Sequence, residues 1–490
     1  MKVLFLNPPF LPRYSRQSRS PCVTKSNTLY YPYYLAYAAG WTEKHGFNVK
    51  LADAVANEWS RTETVEFVKR EKPELTVMDT STPSIVNDVQ VAEAIKKEVP
   101  ETKIMLAGTF PTNMSEYTLN MSKAVDSVAV GEYDNTALFL ARALEDHKPL
   151  EEVPGIAFKR EDKLVKGPPA KLLENLDELP WASQIYLKHF GRKGIEKYFY
   201  ASTTWPEMMI LTARGCPWNC TFCNIPMKKS YRPRSTQNVI EEMQFIQSEM
   251  PWVNEIMFED DTFAAVRKRT LELCDAFIQN RIQLKWSCNG RVTTENEVLQ
   301  KMKAAGCRLV CVGFESATQE VLNNIEKMVP LRRQFEFMED ARKTGLKING
   351  CFIFGLPGDT PETMKKTIEM AKELNPNSAQ FYPLMVYPGN EAYRWAQRNG
   401  LLATEDYSKW VTPEGLHTTT VSRPGLPADE VVRWCNRARL EFYTNPKFLK
   451  KMAVQAAANP VEAVRMAKAS KVLFKHLADY ATRKDAVAKG

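Results

Sequence analysis

Apolar and polar positions alternate along this chain with two different beats. Over residues 1 to about 146, short apolar runs are separated by stretches whose apolar residues recur at helical spacing. The runs "KVLFLN" (2–7), "NVKLADA" (48–54), "ELTVMDT" (74–80), "KIMLAGT" (103–109) and "VDSVAVG" (125–131) predict strands. Between them, "YYLAYAAGWTEKHG" (33–46) and "DVQVAEAIKKEV" (88–99) predict amphipathic helices. Strands alternating with helices imply a parallel sheet covered on both faces, with ligand loops at the carboxyl ends of its strands. Those loops are "NPPF", "TSTPS", "AGTFPT" and "GEYD".

Residues 150 to about 200 interrupt the beat: "GIAFKREDKLVKGPP" predicts a hairpin and "ENLDELPWAS" a connector. From Met208 the alternation lengthens. Strands are expected at "MMILTARG" (208–215), "EIMFEDD" (255–261), "LKWSCNGRV" (284–292), "RLVCVGFES" (308–316), "KINGCFIFG" (347–355) and "SAQFYPLMV" (378–386). A helical segment follows each, including 238–250 and 362–374. Six successive β/α units predict most of a barrel, with its site at the carboxyl ends of the strands. Beyond residue 400 the pattern turns helical, as in 428–443. The expected fold is α/β in four parts. A doubly wound, Rossmann-like domain spans 1–148, and a hairpin with linker 149–200. A partial (β/α)6 barrel spans 201–396, and a helical region with a basic tail 397–490.

A length of 490 residues with 44% hydrophobic and 25% charged residues suits a globular chain of two or three domains. No apolar run is long enough to span a bilayer. The opening "MKVLFLNPPF" is too short in its apolar part for a signal-peptide core, so a cytoplasmic protein is expected. The net charge of +8 sits mostly in the tail, where ten Lys or Arg after Asn445 face three acids. That tail, with Phe448, Leu449, Val461, Val464, Leu473, Phe474 and Leu477 interleaved, suits either a helix lying on an anionic membrane or one packed on its own protein. Nucleic acid is the poorer partner, because no recognised module accompanies the charge. No GxGxxG follows the first strand, so a nicotinamide cofactor is not expected.

The chemistry concentrates in "RGCPWNCTFC" (214–223), directly after the first barrel strand. Cys216, Cys220 and Cys223 stand as C-x3-C-x2-C, and the closest histidines are the distant His189 and His417. A closed zinc or iron–sulfur site takes four ligands. Three thiolates suit a cubane cluster with one iron left free, able to chelate the amino and carboxylate groups of an amino acid such as the methionine part of S-adenosylmethionine (SAM). An electron passed from the cluster then breaks a carbon–sulfur bond and releases a carbon radical. A zinc ion borrowing a remote ligand, or three structural thiols, are the alternatives. The other seven cysteines, at 22, 274, 288, 307, 311, 351 and 435, are scattered singly and read as buried, reduced thiols.

CxxxCxxC with an aromatic, Phe222, between the last two cysteines resembles the signature of the radical SAM superfamily. The resemblance implies a [4Fe-4S] cluster on Cys216, Cys220 and Cys223, SAM, and an external electron donor of flavodoxin or ferredoxin type. It also implies SAM contacts at further strand ends: Glu259, Asp260 and Asp261 in "FEDDTF", Asn289 and Arg291 in "CNGR", and Glu315 and Ser316 in "GFES". In "FGLPGDT" the backbone at Gly355 is expected to approach adenine. Phe222 joins this set.

A doubly wound domain ahead of such a barrel is similar to the cobalamin-binding subclass. "FLNPP", "EKYF", "GEYD" and "YPGNEAY" look particularly like its hopanoid-associated and bacteriochlorophyll-associated members. The DxHxxG motif is missing, and His45, His147 and His189 lack its context; members that hold cobalt without a protein histidine also lack it. On this resemblance Thr80, Ser81, Thr82, Ser84, Gly108, Thr109, Phe110, Glu132 and Tyr133 are expected around cobalamin. The other reading of this domain is a scaffold. The subclass mostly transfers a methyl group to an unactivated carbon, here of a small-molecule or lipid-linked substrate. Ring contraction or cyclisation is the alternative, with the hopanoid-associated members counted on that side. A non-enzymatic iron–sulfur or corrinoid carrier is the third class. Phe381, Tyr382 and Tyr387 suit either a substrate pocket or the barrel core.

Overall fold

A computed structural model describes residues 1–225 and 229–458. β1 (Lys2–Asn7), β2 (Asn48–Asp53), β3 (Leu75–Asp79), β4 (Lys103–Ala107) and β5 (Ser127–Ala129) form a parallel sheet in the order β2-β1-β3-β4-β5. The chain reverses direction across the sheet between β1 and β3, the switch point where doubly wound sheets bind ligands. The strands read as unbroken apolar runs because both faces are covered. On β1, Val3 and Phe5 enter one core while Leu4 and Leu6 enter the other.

The hairpin expected within the linker instead extends this sheet. β6 (Ile156–Arg160) pairs antiparallel with β5, and β7 (Lys163–Lys166) forms the outer edge. Exposed lysines at both ends of β7 discourage further strand pairing there. The expected connector also holds a helix, Ala182–Ile195, broken at Gly191 (φ 62°). The backbone N–H and hydroxyl of Ser183 donate to the Glu242 carboxylate, tying that helix to the barrel.

The second sheet has six parallel strands: β8 (Glu207–Ile210), β11 (Glu255–Phe258), β12 (Lys285–Gly290), β13 (Cys307–Glu315), β14 (Lys347–Phe354) and β15 (Ser378–Pro383), in that order across the sheet. The first expected barrel strand is shorter than its apolar run. The carboxylate of Asp260 takes the Thr212 backbone N–H at 2.6 Å and that of Ala213 at 3.2 Å, ending β8 and turning the chain. Beyond the turn, β9 (Ala213–Arg214) pairs antiparallel with β10 (Arg232–Pro233), and the cysteine loop lies between them. β8 and β15 are the two edges of the sheet, so the barrel stays open on one side. The helix Ala428–Tyr443 packs beside β15, with the Tyr443 hydroxyl donating to the Ala379 carbonyl at 2.8 Å.

The last described helix, Pro446–Ala458, buries Phe448 against Phe442 and Tyr443, so this part of the tail packs on its own protein. Val461, Val464, Leu473, Phe474 and Leu477 lie outside the described residues. Among the described residues no helix is long and apolar enough to cross a membrane.

Candidate active site

The cysteine loop begins at Gly215 (φ +86°), where a Cβ would sit 2.1 Å from the Ser230 carbonyl oxygen; only glycine turns here. Cys216 and Cys220 are buried and Cys223 is partly so. The loop is pinned from the barrel side: the Thr221 N–H donates to the Ile325 carbonyl, and Asn390 Nδ2 donates to the Phe222 carbonyl at 3.0 Å. Arg291 sets its guanidinium 3.6 Å from Cys220 Sγ and 4.5 Å from the Trp218 ring centroid. Burial pushes the Cys216 thiol up, and a bound metal favours its thiolate form. Three thiols within eight residues, with a guanidinium beside one, fit a cluster held through three irons. Among the described residues no three ligating side chains converge as one metal ion would require.

The strand-end residues divide into two groups. Asp260 spends its oxygens on Thr212 and Ala213, and it positions the loop. Ser316 accepts from the Thr318 N–H, and its own carbonyl accepts from Gln334. At Gly355 (φ +84°) the space a Cβ would take borders the Val431 methyls, so packing against the helix Ala428–Tyr443 explains that glycine. Phe222 packs into a core cluster. Glu315 (φ +66°) is buried and paired with Lys327 Nζ at 2.6 Å. Asn289 donates to Glu259 at 3.1 Å, and Asp261 accepts the Gly215 N–H at 3.1 Å, directly beside Cys216. Burial raises the Asp261 carboxyl to about 6, opposed by the charge of Arg19.

The first sheet faces this loop across a crevice. Its walls include Thr80, Gly108, Thr109, Glu132 and Tyr133 on one side and Asp261, Asn224 and Ile225 on the other. Gly108 (φ +128°) again admits no Cβ, which would lie 2.2 Å from the Thr80 carbonyl oxygen. Four expected residues lie elsewhere. Ser81, Thr82 and Ser84 are buried in a short turn of their own, where Ser81 bonds Tyr14 at 3.0 Å and Ser84 donates to Asp88 at 2.6 Å. Phe110 is buried against Tyr407.

Glu132 and Asp134, both in the crevice wall, spend their charge on arginines. Arg214 bonds both, reaching Asp134 at 2.8 and 3.1 Å, and Arg232 adds a bond to Glu132 at 2.7 Å. All of these side chains are buried or nearly so. A buried ion network therefore locks the β5 loop onto the residue that precedes the cysteine loop.

Sequence reasoning missed this network and a strap over residues 13–25. Arg16 reaches Asp88 at 2.7 Å and Gln17 reaches Asp79 at 2.8 Å, both on the first sheet's side. Three residues later Arg19 reaches Glu259 at 2.6 Å, on the barrel. Ser20 then bonds Tyr387 at 2.9 Å and His417 at 3.0 Å. Burial holds the Asp79 carboxyl up at about 7, opposed by Gln17 and Arg16. No local pattern marks these residues, since their partners lie 62 to 397 positions away.

The crevice lining suits a large polar-rimmed group: hydroxyls of Thr80, Thr109 and Thr112, ring faces of Tyr33, Tyr34 and Tyr133, and backbone cleared at Gly108 and Gly131. Its free volume is about 70 Å³, with the strap and the Asn224–Ile225 segment filling part of the space between the two sheets. The chemistry of the lining fits cobalamin.

A three-thiolate loop on a partial barrel, set against a doubly wound sheet, defines a radical enzyme with a second cofactor domain. Residues 210–371 match the radical SAM superfamily and residues 19–140 match the B12 binding domain. The chain belongs to the cobalamin radical SAM methyltransferase family. It is 31% identical to the uncharacterized methyltransferase PH0819 of Pyrococcus horikoshii, over 86% of this chain and 89% of that one. It is 26% identical to the anaerobic magnesium-protoporphyrin IX monomethyl ester cyclase of Rubrivivax gelatinosus, over 74% of this chain and 66% of the cyclase. The fold is shared with the radical SAM methyltransferase TsrM of Kitasatospora setae, solved with cobalamin and a [4Fe-4S] cluster bound. There the TM-score is 0.65 at 17% identity, over 83% of this chain and 79% of TsrM. One expectation is corrected. The hopanoid relative, from Methylococcus capsulatus, is named hopanoid C-3 methylase, so it stands with methyl transfer and not with ring remodelling; it is 26% identical over 65% of this chain and 59% of that one.

Proposed function

We propose that this chain cleaves SAM at a [4Fe-4S] cluster on Cys216, Cys220 and Cys223 and, with cobalamin in the crevice, methylates an unactivated carbon of a small-molecule or lipid-linked substrate. The single observation that carries this reading is the apposition of the cysteine loop and the β3–β5 loops, clamped by Arg214 on Glu132 and Asp134. When bound, the cluster supplies the electron that breaks the carbon–sulfur bond, and cobalamin supplies the methyl group.

The chain's own residues orient and exclude. Arg291, beside Cys220, offers a guanidinium to the methionine carboxylate, while Asn289 and Asp261 border the same loop. Asp260 and Gly215 fix the path by which the loop leaves β8. Thr80, Thr109 and Tyr133 offer polar atoms to a bound corrinoid, and the strap closes the crevice to water. We assign the enzyme to a reducing, cytoplasmic compartment, in keeping with ten free cysteines, and its electron to a flavodoxin or ferredoxin. Ring closure is the second reading, favoured by the cyclase relative.

The test is protein purified without oxygen and supplied with cobalamin. About four irons and one cobalt per chain are expected, with 5′-deoxyadenosine released from SAM. Cys220→Ala should lose iron and SAM cleavage yet keep cobalt. Full iron–sulfur absorbance in that variant overturns the ligand assignment, and four irons without cobalt reduces the first sheet to a scaffold.

A further inference from the structure

A second cavity, of about 340 Å³, lies on the open side of the barrel beside β15. That volume is within the ~300–1,000 Å³ typical of ligand pockets. Its walls are largely apolar, from Cys22, Phe381, Tyr382, Leu416, Cys435 and Phe448. Leu449, which also lines it, is 48% exposed, so the cavity reaches the surface at the helix Pro446–Ala458.

Two cations interrupt this apolar wall. Lys25 Nζ donates to Asn436 Oδ1 at 2.9 Å, and Arg439 Nη1 donates to the same oxygen at 2.8 Å. Two positive charges thus meet at one neutral amide. Among the described residues neither has a carboxylate within ion-pair distance, whereas Arg16, Arg19, Arg214 and Arg234 each hold one. Glu441, two residues beyond Arg439, is already engaged with Arg437 and Lys372. Burial, and then the charge of Arg439, lowers the Lys25 ammonium to about 7. A half-buried charge without a counter-ion still carries a desolvation cost, and an incoming anion between the two groups offsets part of it.

We propose that this cavity binds a molecule with an apolar body and one anionic end, a carboxylate or a phosphate, seated between Lys25 and Arg439. Its role as methyl acceptor rests on the reading above; its binding does not.

The test is titration calorimetry on the full chain with decanoate, decyl phosphate, decanol and inorganic phosphate, all below micelle-forming concentrations. At least one decyl anion should bind tenfold or more tighter than decanol, and the tighter of the two names the head group. Decyl phosphate should also exceed inorganic phosphate tenfold or more. Arg439→Gln should bring the anion to within threefold of decanol while decanol itself is unchanged. Lys25→Gln repeats the test should that variant fold poorly. Decanol binding as tightly as both anions, or anion affinity untouched in both variants, overturns the proposal. Inorganic phosphate equalling decyl phosphate overturns the apolar half. A chain that cleaves SAM but shows no anion preference refutes this inference alone. One that prefers anions but holds no cluster refutes the methyl-transfer reading alone.

Discussion

Arg214→Met probes the join between the two sheets most directly. In the native chain both oxygens of Asp134 accept from this guanidinium, and Glu132 shares it with Arg232. The Arg214 side chain is 1% exposed and that of Asp134 is 4% exposed. Removing the arginine leaves Glu132 with Arg232 but strands Asp134 as a buried charge. Breaking a buried pair from one side costs about 3–5 kcal/mol, a large share of the ~5–15 kcal/mol that holds a domain folded. Neutralising the stranded partner removes much of that cost. Arg214→Met/Asp134→Asn should therefore be at least ~1 kcal/mol more stable than Arg214→Met, within the range of coupling found for contacting residues. Urea unfolding followed by tryptophan fluorescence gives both numbers, and iron content after anaerobic reconstitution gives a second readout, since Arg214 adjoins Gly215 and Cys216. Should Arg214→Met lie within ~1 kcal/mol of the native chain, or the two substitutions simply add, the network is not what joins the sheets.

Asp79 supplies a pH signature. Its folded carboxyl titrates near 7 against an ordinary value of about 3.9, so between those limits the folded state holds a proton that unfolding releases. Stability from this group falls as pH rises from about 4 to about 7, and Asp79→Asn should flatten the urea midpoint across that window; parallel curves for the two proteins contradict the assignment. Gly108→Ala sets a Cβ 2.2 Å from the Thr80 carbonyl oxygen in a conformation that costs other residues about 1–3 kcal/mol. Retained cobalt should drop while iron stays at the native level; equal loss of both metals would point to general unfolding.

The strands were legible because covered parallel sheets demand unbroken apolar runs, as in β1 and β3. The cysteine loop was legible because its three thiols lie within eight residues. What sequence could not show depends on partners far along the chain. The end of β8 is set by Asp260, 48 residues on. The "TSTPS" loop looked like one binding surface, yet its serines are consumed by Tyr14 and Asp88, leaving Thr80 at the crevice. "GEYD" was expected to border cobalamin, and in the structure its acids pair with Arg214 and Arg232. Lys25 and Arg439 are 414 positions apart in sequence, and only the closing of the chain makes them neighbours.

The strap over residues 13–25 forms part of the wall of both the crevice and the apolar cavity, and between them Arg19 holds Glu259 on the barrel. The two cavities thus share one gatepost. The Arg16–Asp88 pair, with both side chains buried, ties it to the first sheet. A group filling either cavity therefore presses on a segment that also walls the other. One short segment, rather than a hinge between domains, is where the two cavities meet.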